Sequence, residues 1–332
     1  MNPLIDSYIQ YISAIRRYSP QTQSIYRDVL VEYAGYSLES PDDPEALAAS
    51  LVPSSLRNYE VHLMEDRKLG ARTVNLHLSV LSGFCRYLMT QGRLKSNPVR
   101  LVTRPKTEKR LPEFYRDEAM GKYFSETAHA ASEDELELLR RLDPGEELAR
   151  TLYERRLRRL VVSLLHASGL RRAELASLDV RSLDRQRNML TVRGKGDKMR
   201  EVPLIPSVVG EIDLYLQAAE VFFGGVPEAG DPLLRTPAGR RLYPVYIDRA
   251  VKAELGALPD ITGRKSPHVL RHTLATGLLN EGSDLNSIKE LLGHSSLAAT
   301  QVYTHNSIER LKAVYEKAHP RAKDPSDIKP EK

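Results

Sequence analysis

The sequence predicts a mainly α fold with one small β-hairpin, arranged as an all-helical N-terminal domain followed by an α+β C-terminal domain. Three observations carry this. Apolar residues recur at helical spacing through most of the 332 residues. The stretch NMLTVRGKGDKMREVPLI instead reads as two extended runs around Gly194, Lys195, Gly196 and Asp197, a hairpin signal. A basic, proline-bearing segment over 101–112 interrupts the periodicity and marks a linker between domains. A hydrophobic share of 41% is enough to bury two cores.

In the first domain, 1–100, Leu4, Ile5, Tyr8, Ile9, Ile12 and Ile15 line one face of a helix ending near Arg17. Ser19 and Pro20 cap and start a second helix that runs to about Gly35. The acidic, proline-bearing stretch 37–50 reads as a loop. Two further helices follow over 53–68 and 73–91, hinged at Gly70, and Asn97-Pro98 closes the domain. Arg16, Arg17, Arg27, Arg57, Lys68, Arg72 and Arg86 decorate these helices among Tyr11, Tyr18, Tyr26 and Tyr59. They are either a solvated surface over core tyrosines or a DNA-facing side. Net charge +5 and a pI near 9.1 permit a polyanionic partner without demanding one. The single cysteine, Cys85, rules out an internal disulfide and sits in an apolar helical face, as a buried thiol would. No stretch approaches the ~20 apolar residues of a membrane span, so a cytoplasmic protein is expected.

The second domain is expected over 113–318. A helix starts at Asp117, and the acidic stretch 132–147 reads as an exposed helical excursion. Arg156 to Ser168 reads as a buried helix closed by Gly169. In LRRAELASL, Leu175 and Leu178 face the core, with Arg171 and Glu174 at its edge as an i,i+3 surface pair. Lys195 stands at the tip of the hairpin. Helices are expected over 203–220 and 245–258. Asn306 or Ser307 caps a helix over 307–318 whose stripe of Ile308, Leu311, Val314 and Tyr315 needs a partner, in its own domain or on a second copy. Residues 319–332, charged and proline-bearing, read as a disordered tail.

Ser266 to His305 holds the densest chemistry. His268 and Arg271 share a helical face behind Pro267, Asp284 caps a helix that Gly293 ends, and His294 emerges at that turn. Tyr303 lies on a further short helix. A phosphodiester under attack accumulates charge on its non-bridging oxygens, and the planar forks of Arg171 and Arg271 can hold them. Tyr303 supplies a nucleophilic oxygen that needs a base, because a phenol ionises near pH 10. His268 suits that role, His294 adds a donor, and Lys195 can protonate a departing 5′-oxygen.

These segments resemble the tyrosine recombinases of the phage-integrase-like family, and within them the Xer type with its XerC-like members. SGLRRAELASL is similar to the first active-site box, RGKGDKMREVPL to the lysine hairpin, SPHVLRHTLAT to the HxxR box, and LLGHSSLAATQVYTH to the box that ends in the nucleophile. YSPQTQSIYRDVL and LGARTVNLHLSVLSGFCRYL, followed by NPV, resemble the helical core-binding, SAM-like domain. The resemblance implies Tyr303 as nucleophile, Arg171 and Arg271 on the phosphate, Lys195 as general acid, His268 as proton acceptor, His294 as second stabiliser and Glu174 as an accessory that orients the arginine. It implies no metal or nucleotide cofactor. It also implies a short, partly palindromic duplex DNA site, a homo- or hetero-tetramer on two such sites, and a C-terminal helix docked on a neighbour. The role implied is resolution of chromosome or plasmid dimers. An integrase or transposase of a mobile element, or a type IB topoisomerase-like enzyme, is the alternative. Gly277 and Ser82 depart from the pattern, where a histidine and an arginine are usual, and 125–150 is longer than in compact Xer chains.

Overall fold

Caps and prolines visible in the sequence set most helix starts in the N-terminal unit. The computed structural model describes residues 2–107, 113–194 and 198–293, and the chain divides near residue 110 into two units. Asn2 caps α1 (Pro3–Ala14) by accepting from the Leu4 N–H at 3.1 Å. Ser19 does the same for α2 (Pro20–Ser37). Asp43 accepts from the N–H groups of Glu45 and Ala46 and starts α3 (Pro44–Ser50). That helix overturns the loop expected over 37–50, because Asp43-Pro44 acts as an N-cap followed by an N1 proline rather than as a breaker. α4 (Pro53–Glu65) and α5 (Ala71–Thr90) complete the unit.

Its core gathers Ile5, Leu30, Tyr33, Leu56, Leu81, Phe84 and Cys85. Tyr59 belongs to that core, its hydroxyl bonded to His77 Nδ1 at 3.0 Å. Arg57, Lys68, Arg72 and Arg86 are exposed. Beyond a 3₁₀ turn at Pro98–Leu101, the described part of the basic segment lies along α5. There Arg104 donates to Asn75 O and Ser79 Oγ, and the Asn75 amide donates to Pro105 O.

The second unit begins with α6 (Asp117–Glu126) and α7 (Glu133–Arg140) and is built around α8 (Glu147–Ser168). α9 (Arg172–Ala176) follows, then a sheet, then α10 (Pro206–Phe223), α11 (Pro244–Gly256), α12 (Pro267–Asn280) and α13 (Leu285–Leu292). α10, α11 and α12 pack on α8, so residues 160–168 of α8 are buried on every side. α7 is less exposed than its acidic composition suggests. Leu136 and Leu139 enter the core, and Glu135 is buried against Arg155.

The sheet is antiparallel in the order β1 (Leu183–Asp184), β2 (Met189–Arg193), β3 (Met199–Pro203). β1 is too short for alternation to reveal. Leu190 pairs with Val202 and Val192 with Arg200, so an arginine occupies a position on the inward-facing row. Among the described residues, no helix is long and apolar enough to cross a membrane.

Candidate active site

Three arginines from three elements converge on the last turn of α13. Asp284 caps its start by accepting from Asn286 and Ser287 N–H, and Gly293 ends it at φ 66° in the left-handed region. A helix end exposes carbonyls without partners and carries partial negative charge. Here successive carbonyls receive guanidinium donors. Arg200 Nε donates to Leu291 O at 3.3 Å, Arg271 Nη2 to Leu292 O at 2.5 Å, and Arg171 Nη2 to Gly293 O at 3.0 Å.

Arg271, on α12 and only 7% exposed, also donates through Nη1 to Gly169 O at 2.5 Å. Gly169 is the left-handed C-cap of α8 at φ 59°, and a Cβ there would lie 2.6 Å from Leu292 Cδ2. Gly169→Ala should therefore lower stability by about 2 kcal/mol or more, from backbone strain and overpacking together. A urea unfolding midpoint equal to that of the wild type would contradict this. Burial, with Arg171 close by, lowers the Arg271 pKa to about 10, which leaves it charged at neutral pH.

Arg171 precedes α9 and is partly exposed. Its backbone N–H donates to Glu174 Oε2 at 2.9 Å and its Nη1 to Oε1 at 2.8 Å. Glu174 is 6% exposed, which corrects the surface ion pair expected from spacing. The reason is tertiary: Arg200 reaches across from β3 and binds both carboxylate oxygens, Nη1 to Oε1 at 3.0 Å and Nη2 to Oε2 at 2.8 Å. Burial raises the Glu174 pKa, but the bonds from Arg200 and Arg171 outweigh it and hold the carboxyl below its ordinary value.

His268, one helical turn before Arg271 on α12, is exposed. Partial burial and the positive charges of Arg172, His272, Arg264 and Arg271 lower its pKa. The shift favours the neutral ring, whose unprotonated nitrogen can accept a proton. The structure brings Arg171, Arg271 and Glu174 together, with His268 on the same helix as Arg271. Lys195, His294 and Tyr303 lie outside the described residues, as do the helix expected over 307–318 and the tail 319–332. Arg200 was missed in the sequence, although its place among inward-facing strand residues signals a buried cation in need of an acid.

The Phage integrase family model matches residues 146–310, and the model of the phage integrase N-terminal SAM-like domain matches residues 5–92. Tyrosine recombinase XerC of Chlorobaculum parvum is 34% identical over 324 residues, spanning 96% of this chain and 94% of the relative. The chain belongs to the phage integrase family of tyrosine recombinases. Its fold is shared with solved integrases. The Tn1549 transposon integrase in complex with circular intermediate DNA superposes with a TM-score of 0.61 at 18% identity, over 93% of this chain and 99% of that one. A lambda integrase tetramer bound to a Holliday junction gives 0.60 at 17% identity, over 91% and 79%. The family match takes in the residues of the arginine cluster, from Gly169 to Gly293.

Proposed function

We propose that the chain is a site-specific DNA recombinase that cuts and rejoins duplex DNA through a 3′-phosphotyrosyl intermediate, in Xer-type resolution of chromosome or plasmid dimers. Tyr303 Oη attacks the scissile phosphorus. The new P–O bond to tyrosine forms as the bond to the 5′-oxygen breaks, the phenolic proton passes to His268, and Lys195 gives a proton to the departing 5′-oxygen. Arg171 and Arg271, with His294, hold the non-bridging oxygens as charge builds on them. The covalent link conserves the bond energy, and a 5′-hydroxyl from the partner duplex reverses the step. The observation that carries this reading is the meeting of Arg171 and Arg271 at the end of α13, one residue ahead of His294 in the sequence. The lowered pKa of His268, one helical turn before Arg271, supports a ring that takes the phenolic proton from its neutral form.

The assembly proposed is four protomers, of one or two kinds, on two short, partly palindromic DNA sites in the cytoplasm. The helix over 307–318 would dock on a neighbouring protomer. The exposed cations Arg57, Lys68, Arg72 and Arg86 on the N-terminal helices would meet the phosphate backbone.

Lys195→Ala tests the chemistry. It should leave DNA affinity unchanged and slow cleavage by about 10²–10⁴-fold. A substrate with a 5′-thiol leaving group, which departs without a proton, should recover most of that rate. Absence of rescue would remove Lys195 from the general-acid role.

A further inference from the structure

We propose that Arg200 is a positioning residue for strand cleavage, one that keeps Arg171 electrostatically available to the scissile phosphate. This rests on the reading of Arg171 as a phosphate ligand. The Glu174 carboxylate is shared between two arginines: Arg200 gives it two guanidinium hydrogen bonds, and Arg171 gives it one from Nη1 and one from its backbone N–H. With both in place, one carboxylate faces two cations, and Arg171 retains a positive field toward solvent. Without Arg200, the same carboxylate would neutralise Arg171 and draw its fork inward, and the clamp would lose charge where a phosphate must sit.

The geometry is fitted to this role. Arg200 is 8% exposed and spends Nε, Nη1 and Nη2 on Leu291 O and Glu174. Its guanidinium lies against the backbone of Gly293, where a Cβ would come within 3.1 Å of Cζ. It thereby ties β3, which follows Lys195 in the sequence, to the turn that leads to His294. The neighbouring residue on β3 supplies an internal contrast. Glu201 makes a comparable fork with Arg187 at 2.7 and 2.9 Å, but in solvent, where such a pair does little. A lysine at 200 would keep the charge but could not reach both carboxylate oxygens and Leu291 O together.

The experiment uses the full chain and a nicked suicide duplex, with single-turnover cleavage, DNA affinity and thermal melting measured for Arg200→Met, Arg200→Lys and Arg171→Ala. A second substrate carries a methylphosphonate at the scissile position, which removes one anionic oxygen that the clamp must hold. Both Arg200 variants should cleave the natural phosphate more slowly at near-native DNA affinity, Arg200→Met by about 10²-fold and Arg200→Lys, which keeps the charge but not the fork, by less, and the defect should shrink severalfold on the methylphosphonate. Arg200→Lys keeps a charge beside Glu174 and should still melt cooperatively, lowered only by the bonds it cannot make, which separates its rate loss from unfolding. Native cleavage by either Arg200 variant, beside a slow Arg171→Ala, would overturn the proposal. So would an equal defect on both substrates, or loss of cooperative melting in both Arg200 variants, since Arg200 would then be a structural residue alone. Native cleavage by Arg171→Ala would instead remove the phosphate-ligand reading on which the proposal rests.

Discussion

Tyr303→Phe should abolish covalent attachment to DNA while leaving binding intact. Phenylalanine keeps the ring and removes only the oxygen proposed to attack phosphorus, so DNA binding should be unchanged. If Tyr303 is the nucleophile, its loss should cost at least ~10⁴-fold in rate, because the remaining groups would orient a phosphate without attacking it. Adduct on a nicked duplex should fall below detection, with the gel-shift midpoint unchanged. Adduct persisting in Tyr303→Phe would move the nucleophile to another residue. No adduct from the wild type would favour a DNA-binding protein that keeps the fold without catalysis.

Arg271→Lys should give the second largest effect. The Arg271 guanidinium bridges Gly169 O at the end of α8 and Leu292 O at the end of α13, both at 2.5 Å. A lysine carries the charge but offers a single point and cannot span both carbonyls. Cleavage should drop by ~10²–10³-fold, the usual cost of removing one donor to a developing oxyanion. A buried carbonyl left without its donor should cost a further ~1–3 kcal/mol of folding stability. Single-turnover cleavage and urea unfolding measure the two effects separately. Wild-type cleavage with reduced stability would reduce Arg271 to a helix tie and take it out of the phosphate clamp.

Much of the scaffold was legible because helix boundaries are written in local chemistry. Ser19-Pro20, Asp284 and the glycines at 169 and 293 each fix an end through one or two capping hydrogen bonds or one backbone angle, and these ends stand where the sequence placed them. α3 escaped because an acidic, proline-bearing stretch has the composition of a loop, while the Asp43-Pro44 order is that of a cap. The buried face of α7 was hidden by the acids around Leu136 and Leu139.

At the site, local spacing put Arg171 beside Glu174 but could not bury the pair, since burial comes from Arg200 on a strand 26 residues away. Pair energetics change with that contact. In solvent the two would contribute a few tenths of a kcal/mol, whereas buried and shared with Arg200 the carboxylate organises the cluster. The convergence of three arginines on α13 was likewise out of reach, because backbone carbonyls carry no sequence signature.

The most direct test is peptide mapping of DNA-linked protein trapped from the wild-type chain on a suicide duplex. A single modified tyrosine, Tyr303, joined to a 3′-phosphate with a free 5′-hydroxyl on the released strand, is the predicted result. Linkage at any other residue, a 5′-phosphoryl link, or cleavage without any covalent adduct would contradict it.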